Sequence, residues 1–277
     1  MKTGKIIRII SNLYTVNIEN QNINCQARGK FRQNKITPLV GDYCEVDIEN
    51  KYIMRILPRT NYLLRPSIAN VDIALIITSL KKPDFSPYLL DKLLTLVSLN
   101  HIKPMICFTK IDLLKEEEQA KWQELKRDYG RAGYMVHTNQ DLSMLRSALK
   151  NQVVVVTGQT GAGKSTLLNS LNPQLTLKTS PISEALNRGV HTTRHTEIYH
   201  VDDFFIADTP GFSALDLKGY QKEEIRSAFK EFQKYHCKYS DCNHLEEPDC
   251  GVKEALAIGE IRQSRYESYR QLLKEGE

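Results

Sequence analysis

Apolar and polar residues alternate in short runs over residues 4–10, 13–18, 23–28, 43–48 and 52–57. Polar breaks such as Glu19-Asn20-Gln21-Asn22 separate them. Period-two alternation over runs this short predicts half-buried strands. Five such strands in so short a segment predict a small barrel, with an OB-fold as first choice and an SH3-like barrel as rival. Pro58 and Pro66 bracket a predicted linker. From residue 71 the pattern changes. Continuous apolar runs at 71–78, 105–108, 153–157 and 204–207 alternate with helix-like stretches at 88–99 and 115–129. That texture predicts an α/β fold with a mostly parallel sheet buried on both faces. A further helix is predicted over 222–235, then a Cys/His-rich stretch, then a charged helix over 261–274. The expected division is a barrel at 1–65, an α/β domain at 66–218 and a small helical module at 219–277. The chain contains no internal repeat.

Composition narrows the class. A chain of 277 residues with 41% hydrophobic and 26% charged residues matches folded globular proteins rather than disordered ones. No run approaches the ~20 apolar residues needed to cross a bilayer. The first ten residues carry Lys2, Lys5 and Arg8 but no signal-peptide core. The expectation is a cytoplasmic protein with no membrane partner. The net charge of +5 sits in the barrel: residues 1–65 hold 11 Lys/Arg against 5 Asp/Glu, and the remainder is nearly neutral. A basic barrel suits a polyanion such as RNA, although a mildly basic solvated surface would give the same numbers. Cys25, Cys44 and Cys107 lie among strand residues and read as small buried hydrophobes.

The strongest local signal is a strand-like run, Val153 to Thr157, leading into Gly158-Gln159-Thr160-Gly161-Ala162-Gly163-Lys164-Ser165, with Thr166-Leu167-Leu168 opening a helix. This is a P-loop in strand–loop–helix context. Its glycines let backbone N–H groups face phosphates, and the helix N-terminus adds positive field there. Lys164 would contact the outer phosphates and Ser165 would hold Mg²⁺. Downstream, Asp208-Thr209-Pro210-Gly211 follows a strand-like run. An Asp-x-x-Gly alone is a plain turn. After a P-loop it suits indirect Mg²⁺ contact through Asp208 and a γ-phosphate-sensing N–H at Gly211. Between them, Arg188-Gly189-Val190-His191-Thr192-Thr193-Arg194 suits a switch loop in which Thr193, or Thr192, ligates Mg²⁺.

Guanine presents two donors, N1–H and N2–H₂, and needs an acidic reader that adenine does not. Nothing downstream of Asp208 fits. Upstream, a strand-like run ends in Thr109-Lys110-Ile111-Asp112, the spacing of Asn-Lys-x-Asp with Thr in place of Asn. Asp112 carries the discrimination, so guanine preference should survive, with lower affinity because Thr109 has the shorter reach. Residues 135–139, ending in Asn139, take the slot of a second base-contacting loop. The base reader therefore precedes the phosphate loop.

That order resembles the circularly permuted GTPases. More narrowly, the chain resembles the small-ribosomal-subunit-dependent GTPase A family of bacterial assembly factors. Further likeness lies in Arg28-Gly29-Lys30, Val40-Gly41-Asp42, Pro58-Arg59, Arg65-Pro66 and Ala69-Asn70-Val71-Asp72. The resemblance spans nearly the whole chain. It implies an OB-fold, a permuted GTPase and a C-terminal zinc domain, with GTP-dependent binding to the small ribosomal subunit and its rRNA late in assembly. The expected enzyme is a GTP hydrolase acting as a monomer and cycling between GTP and GDP.

Phe212 stands where many GTPases carry a water-orienting glutamine. Hydrolysis is then intrinsically slow, or another group substitutes. His191 is the nearest candidate in sequence, and the resemblance favours it; the expected catalytic set is His191, Lys164 and Thr193. Near the C-terminus Cys237-x₄-Cys242-x-His244-x₅-Cys250 supplies three thiols and one imidazole. That is a complete tetrahedral set with no position left for water, so one structural Zn²⁺ is expected rather than a catalytic one. Two other readings compete. One is an ATPase or small-molecule kinase, opposed by Lys110 and Asp112. The other is an RNA-binding scaffold with a vestigial nucleotide site, opposed by the intact Lys164, Ser165 and Asp208.

Overall fold

The computed structural model describes residues 1–27, 37–64, 67–171, 198–201, 203–207 and 216–276. Strands β1 (Lys2–Ile10), β2 (Leu13–Ile18), β3 (Gln21–Ala27), β4 (Tyr43–Asp47) and β5 (Tyr52–Ile56) close a barrel in the order β1-β2-β3-β5-β4. β3 runs parallel to β5, and β1 closes antiparallel on β4. This is the OB-fold arrangement, and it decides against the SH3-like rival. Period-two alternation puts Ile6, Val16, Cys25, Cys44, Val46 and Ile53 inside.

The predicted linker is folded. β6 (Tyr62–Leu64) pairs antiparallel with β7 (Ser67–Ala69), and Leu63 and Ile68 are buried in the main core. Two prolines suggested a loop, but the apolar residues between them find a partner surface that local sequence does not display.

The second body is a six-stranded sheet in the order β10-β9-β8-β11-β13-β12. Its strands are β8 (Ile73–Ser79), β9 (Lys103–Thr109), β10 (Met135–Thr138), β11 (Val153–Gly158), β12 (Ile198–Val201) and β13 (Phe204–Ala207). All pairs are parallel except β12 with β13. Both faces are covered, so β8 is buried at every position.

Helix α1 (Pro87–Leu99) starts where Ser86 accepts a hydrogen bond from the Leu89 N–H and Pro87 supplies a pre-set first turn. Helix α2 (Glu116–Arg131) begins with three acidic residues and buries Trp122, Leu125 and Tyr129 at helical spacing. Helices α3 (Leu142–Leu149) and α4 (Lys164–Leu171) flank β11 through Leu145, Leu149, Leu167 and Leu171.

The C-terminal module holds α5 (Lys222–Ala228), α6 (Gly251–Ala257) and α7 (Gln263–Gly276). The single helix predicted over 222–235 is broken at Phe229, and a 3-10 turn follows at Lys230–Lys234. The break lets Phe229 and Phe232 stack at 5.1 Å and both meet the Tyr269 ring edge-on. Local periodicity favours one helix; aromatic packing on α7 outweighs it.

Candidate nucleotide site and metal centre

β8, β9, β10, β11 and β13 all deliver their carboxyl ends to one rim of the sheet, the place where open α/β sheets hold ligands. At that rim β11 ends in Gly158 with φ +139°, and a Cβ there would lie 1.9 Å from the Ile77 carbonyl oxygen. Only glycine fits between the two strands. Gln159, Thr160, Gly161, Ala162 and Gly163 form the loop, and Lys164, Ser165 and Thr166 open α4. The Lys164 ammonium donates to the carbonyls of Gly158 and Gln159, at 2.9 and 2.8 Å. Burial lowers its pKa from 10.5. The cation is held inside the curl, where anionic oxygens would relieve its desolvation.

β9 brings Thr109 to the same loop. Thr109 is buried, and its hydroxyl donates to the Ala162 carbonyl at 2.6 Å. Lys110 adopts a left-handed backbone conformation, and its ammonium donates to the Gly161 carbonyl at 2.8 Å and to the Lys82 carbonyl. The end of β9 and the phosphate loop are thus stapled by two adjacent side chains. Thr109, which its shorter reach marked as the weak member, still bonds the phosphate loop. Ile111 is buried and Asp112 exposed in the 3-10 turn Ile111–Leu113. Beyond β10, the Asn139 N–H donates to the Phe108 carbonyl, while its side-chain oxygen is buried with no partner among the described residues.

His191, Thr193, Asp208 and Gly211 lie outside the described residues. The strand that leads to Asp208 is in place: Ala207 pairs with Val155 of the P-loop strand.

One element escaped the sequence reading. The loop after β8 packs on the phosphate loop: the Gln159 amide reaches the Asp84 carbonyl at 3.5 Å, and Lys110 reaches Lys82. The signal was a Lys-Lys-Pro-Asp stretch directly after a fully buried strand.

The Cys/His set also comes together. Cys237, Cys242, His244 and Cys250 place their ligand atoms within 4.8 Å of one another, and they could hold a metal ion. His244 Nδ1 lies 3.5 Å from Cys237 Sγ, 3.5 Å from Cys242 Sγ and 3.4 Å from Cys250 Sγ; the Cys237 and Cys250 sulfurs are 3.7 Å apart. A tetrahedron with metal–sulfur bonds of about 2.3 Å and a metal–nitrogen bond of about 2.0 Å has edges of about 3.5 Å (N to S) and about 3.75 Å (S to S). The donor set fits such an ion. The backbone is shaped for it: Gly251 follows Cys250, and a Cβ there would lie 2.4 Å from the His236 carbonyl, so glycine lets Cys237 and Cys250 form their bridge. Arg226, Tyr266 and Tyr269 donate to the carbonyls of Cys242, His244 and Asn243, holding the ligand loop from outside.

The module is locked to the sheet domain by a buried cluster that the sequence did not reveal. Arg265 on α7 donates to Asp91 on α1 at 2.6 Å and to Glu231 at 2.7 Å, and faces the Phe229 ring at 4.5 Å. Tyr129 also donates to Asp91. Burial pushes the Asp91 carboxyl above 3.8 despite the guanidinium beside it.

A family model described as RsgA GTPase matches residues 56–218, and one for the RsgA N-terminal domain matches residues 3–53. The chain belongs to the RsgA GTPase family. Proteins named small ribosomal subunit biogenesis GTPase RsgA are similar along its length. That of Bacillus velezensis is 45% identical, and that of Staphylococcus saprophyticus 44%, each over 99% of this chain and 97% of the relative. The crystal structure of YloQ, described as a circularly permuted GTPase, superposes with a TM-score of 0.85 at 38% identity, covering 99% of this chain and 94% of that one. YjeQ from Thermotoga maritima gives 0.85 at 34% identity, covering 99% and 98%. The chain is thus a GTP hydrolase of permuted order. Membership in this family of permuted GTPases accounts for Thr109-Lys110-Ile111-Asp112 preceding the phosphate loop: a sheet keeps its rim wherever the chain is cut. Among the described residues, no helix is long and apolar enough to cross a membrane.

Proposed function

We propose that this chain binds the small ribosomal subunit through its rRNA and hydrolyses GTP to time a late step of that subunit's biogenesis, as a cytoplasmic monomer. The observation that carries the reading is the double staple of Thr109 and Lys110 on the phosphate loop, which joins base recognition to phosphate binding in one rigid unit. Its ribosomal side is supported by the names of the relatives and by the basic first 65 residues. In this reading Asp112 accepts from the guanine donors, and Lys164 with the loop N–H groups of residues 158–166 holds the phosphates. Ser165 and Thr193 would hold Mg²⁺, which neutralises charge on the phosphate oxygens when bound; Asp208 would support it and Gly211 would sense the γ-phosphate. His191 positions the attacking water, because Phe212 has no polar group to do so. The four C-terminal ligands hold one zinc ion that supplies folding energy to their module.

The test is GTP turnover with and without purified small subunits, with ATP as control. Stimulation of GTP turnover alone is expected; no stimulation by subunits would overturn the ribosomal reading. His191→Ala should lower kcat by about 10²-fold or more with GTP affinity kept, and equal loss of both would remove His191 from its role.

A further inference from the structure

The first strand of the barrel lies against the hairpin that joins the two switch segments of the sequence. β12 starts directly after residues 172–197, which contain the switch loop, and β13 ends directly before Asp208. The two strands pair antiparallel, with Ile198 opposite Ala207. β1 approaches β12, and Ile7 and Ile9 of β1 pack on the core cluster that contains Ile198 and Ala207. A lysine completes the contact. Lys5 is buried, with its ammonium 4.6 Å from the centre of the Tyr43 ring in the barrel and 5.0 Å from that of Phe205 in β13. Among the described residues no carboxylate pairs with it.

A buried cation between two ring faces is directional. The ring quadrupole attracts it only over the face, so a shift of Phe205 changes the energy of a desolvated charge rather than of a solvated one. The residue before Lys5 reinforces this. A Cβ at Gly4 would lie 2.5 Å from Ile18 and 2.6 Å from Val16, so β1 is pressed on β2 and yields little on that side. The barrel in turn is fixed to the sheet domain elsewhere: Asn70 donates to the Gly41 carbonyl, and the Ala69 N–H donates to the Val40 carbonyl. Motion at the hairpin therefore meets a strand with one anchored side and one buried charge.

We infer that β1 is the element through which the barrel senses the nucleotide, with Lys5 as a positioning residue that ties barrel geometry to the β12–β13 hairpin. γ-Phosphate contacts in the flanking switch segments would bias the hairpin, and the hairpin biases β1. Coupling between two sites is reciprocal, so a polyanion gripping the barrel biases the switches by the same factor. That last consequence rests on the ribosomal half of the proposed function; the coupling itself rests only on its assignment of the switch segments.

Backbone hydrogen exchange in the full-length protein, loaded with GDP or with a non-hydrolysable GTP analogue, tests it without ribosomes. Exchange within residues 5–9 should differ between the two states by about fivefold or more. Equal exchange there would overturn the inference. Lys5→Met should abolish the difference with unstimulated kcat and KM unchanged, and Lys5→Arg should restore it. A difference that survives in Lys5→Met would remove Lys5 from the coupling. If Lys5→Met does not fold, Phe205→Leu removes the ring face, keeps an apolar side chain and must give the same loss. Small subunits that fail to stimulate turnover would sink the ribosomal reading and leave this result standing on the exchange data.

Discussion

The phosphate loop and the metal loop solve one problem in opposite ways. Each must hold a polar, irregular segment in a fixed shape. The phosphate loop is shaped by the rest of the fold. Ile77 dictates glycine at 158, Thr109 and Lys110 bind the carbonyls of Ala162 and Gly161, and Lys164 fills the curl with its own ammonium. The metal loop is held from outside at its carbonyls by Arg226, Tyr266 and Tyr269, and it gathers four ligand side chains at one point. The first site is organised before its ligand arrives, which suits a loop that must release and rebind nucleotide. With the proposed zinc bound, the second would depend on an ion that stays, which suits a loop with few apolar residues between Cys237 and Cys250.

The contrast breaks most visibly on metal removal. Chelation should melt residues 219–276 with a loss on the scale of about 10 kcal/mol for a structural site, read by exchange and tyrosine near-ultraviolet dichroism. Removing nucleotide should leave the phosphate loop protected. A module that stays ordered without metal would end the comparison.

Next in size is the joint between the halves. Arg265→Met leaves Asp91 and Glu231 buried without their cation and should cost about 3–5 kcal/mol in denaturant unfolding. The pH dependence follows from Asp91. Its folded pKa is raised above 3.8 by burial, so its contribution to stability is complete below that value and is lost as pH rises through the folded pKa. Asp91→Asn should flatten that part of the profile.

The smallest effect sharpens the claim about the phosphate loop. Thr109→Val removes the hydroxyl and leaves the Ala162 carbonyl unpaired, a cost of about 1–3 kcal/mol. It should appear as GTP binding weakened by about 5- to 150-fold, and Thr109→Ser should recover most of it. Unchanged affinity in Thr109→Val would mean that the loop does not need this brace.

Much of this was legible along the chain. The P-loop needs glycines and a lysine at fixed offsets because backbone N–H groups must converge, and that requirement is local. The same holds for the four residues within 14 positions that could hold a metal ion. The alternation in β1 to β5 predicted a barrel, though only the pairing of β3 with β5 distinguished OB from SH3-like closure. The errors share a cause. Leu63 looked like part of a linker, and Phe229 like the middle of a helix, because their partners are remote.

By itself the sequence determined the order of the motifs, the Cys/His set that could hold a metal and the alternation that makes barrel and sheet, since each is written in spacing over a few residues. Tertiary structure alone decided that Thr109 meets the Ala162 carbonyl, that Arg265 meets Asp91 and that Lys5 meets Phe205. The reason is physical. A hydrogen bond or a ring contact is set to within about 0.5 Å by the elements carrying both partners, and the positions of those elements follow from how the whole sheet and its covering helices pack.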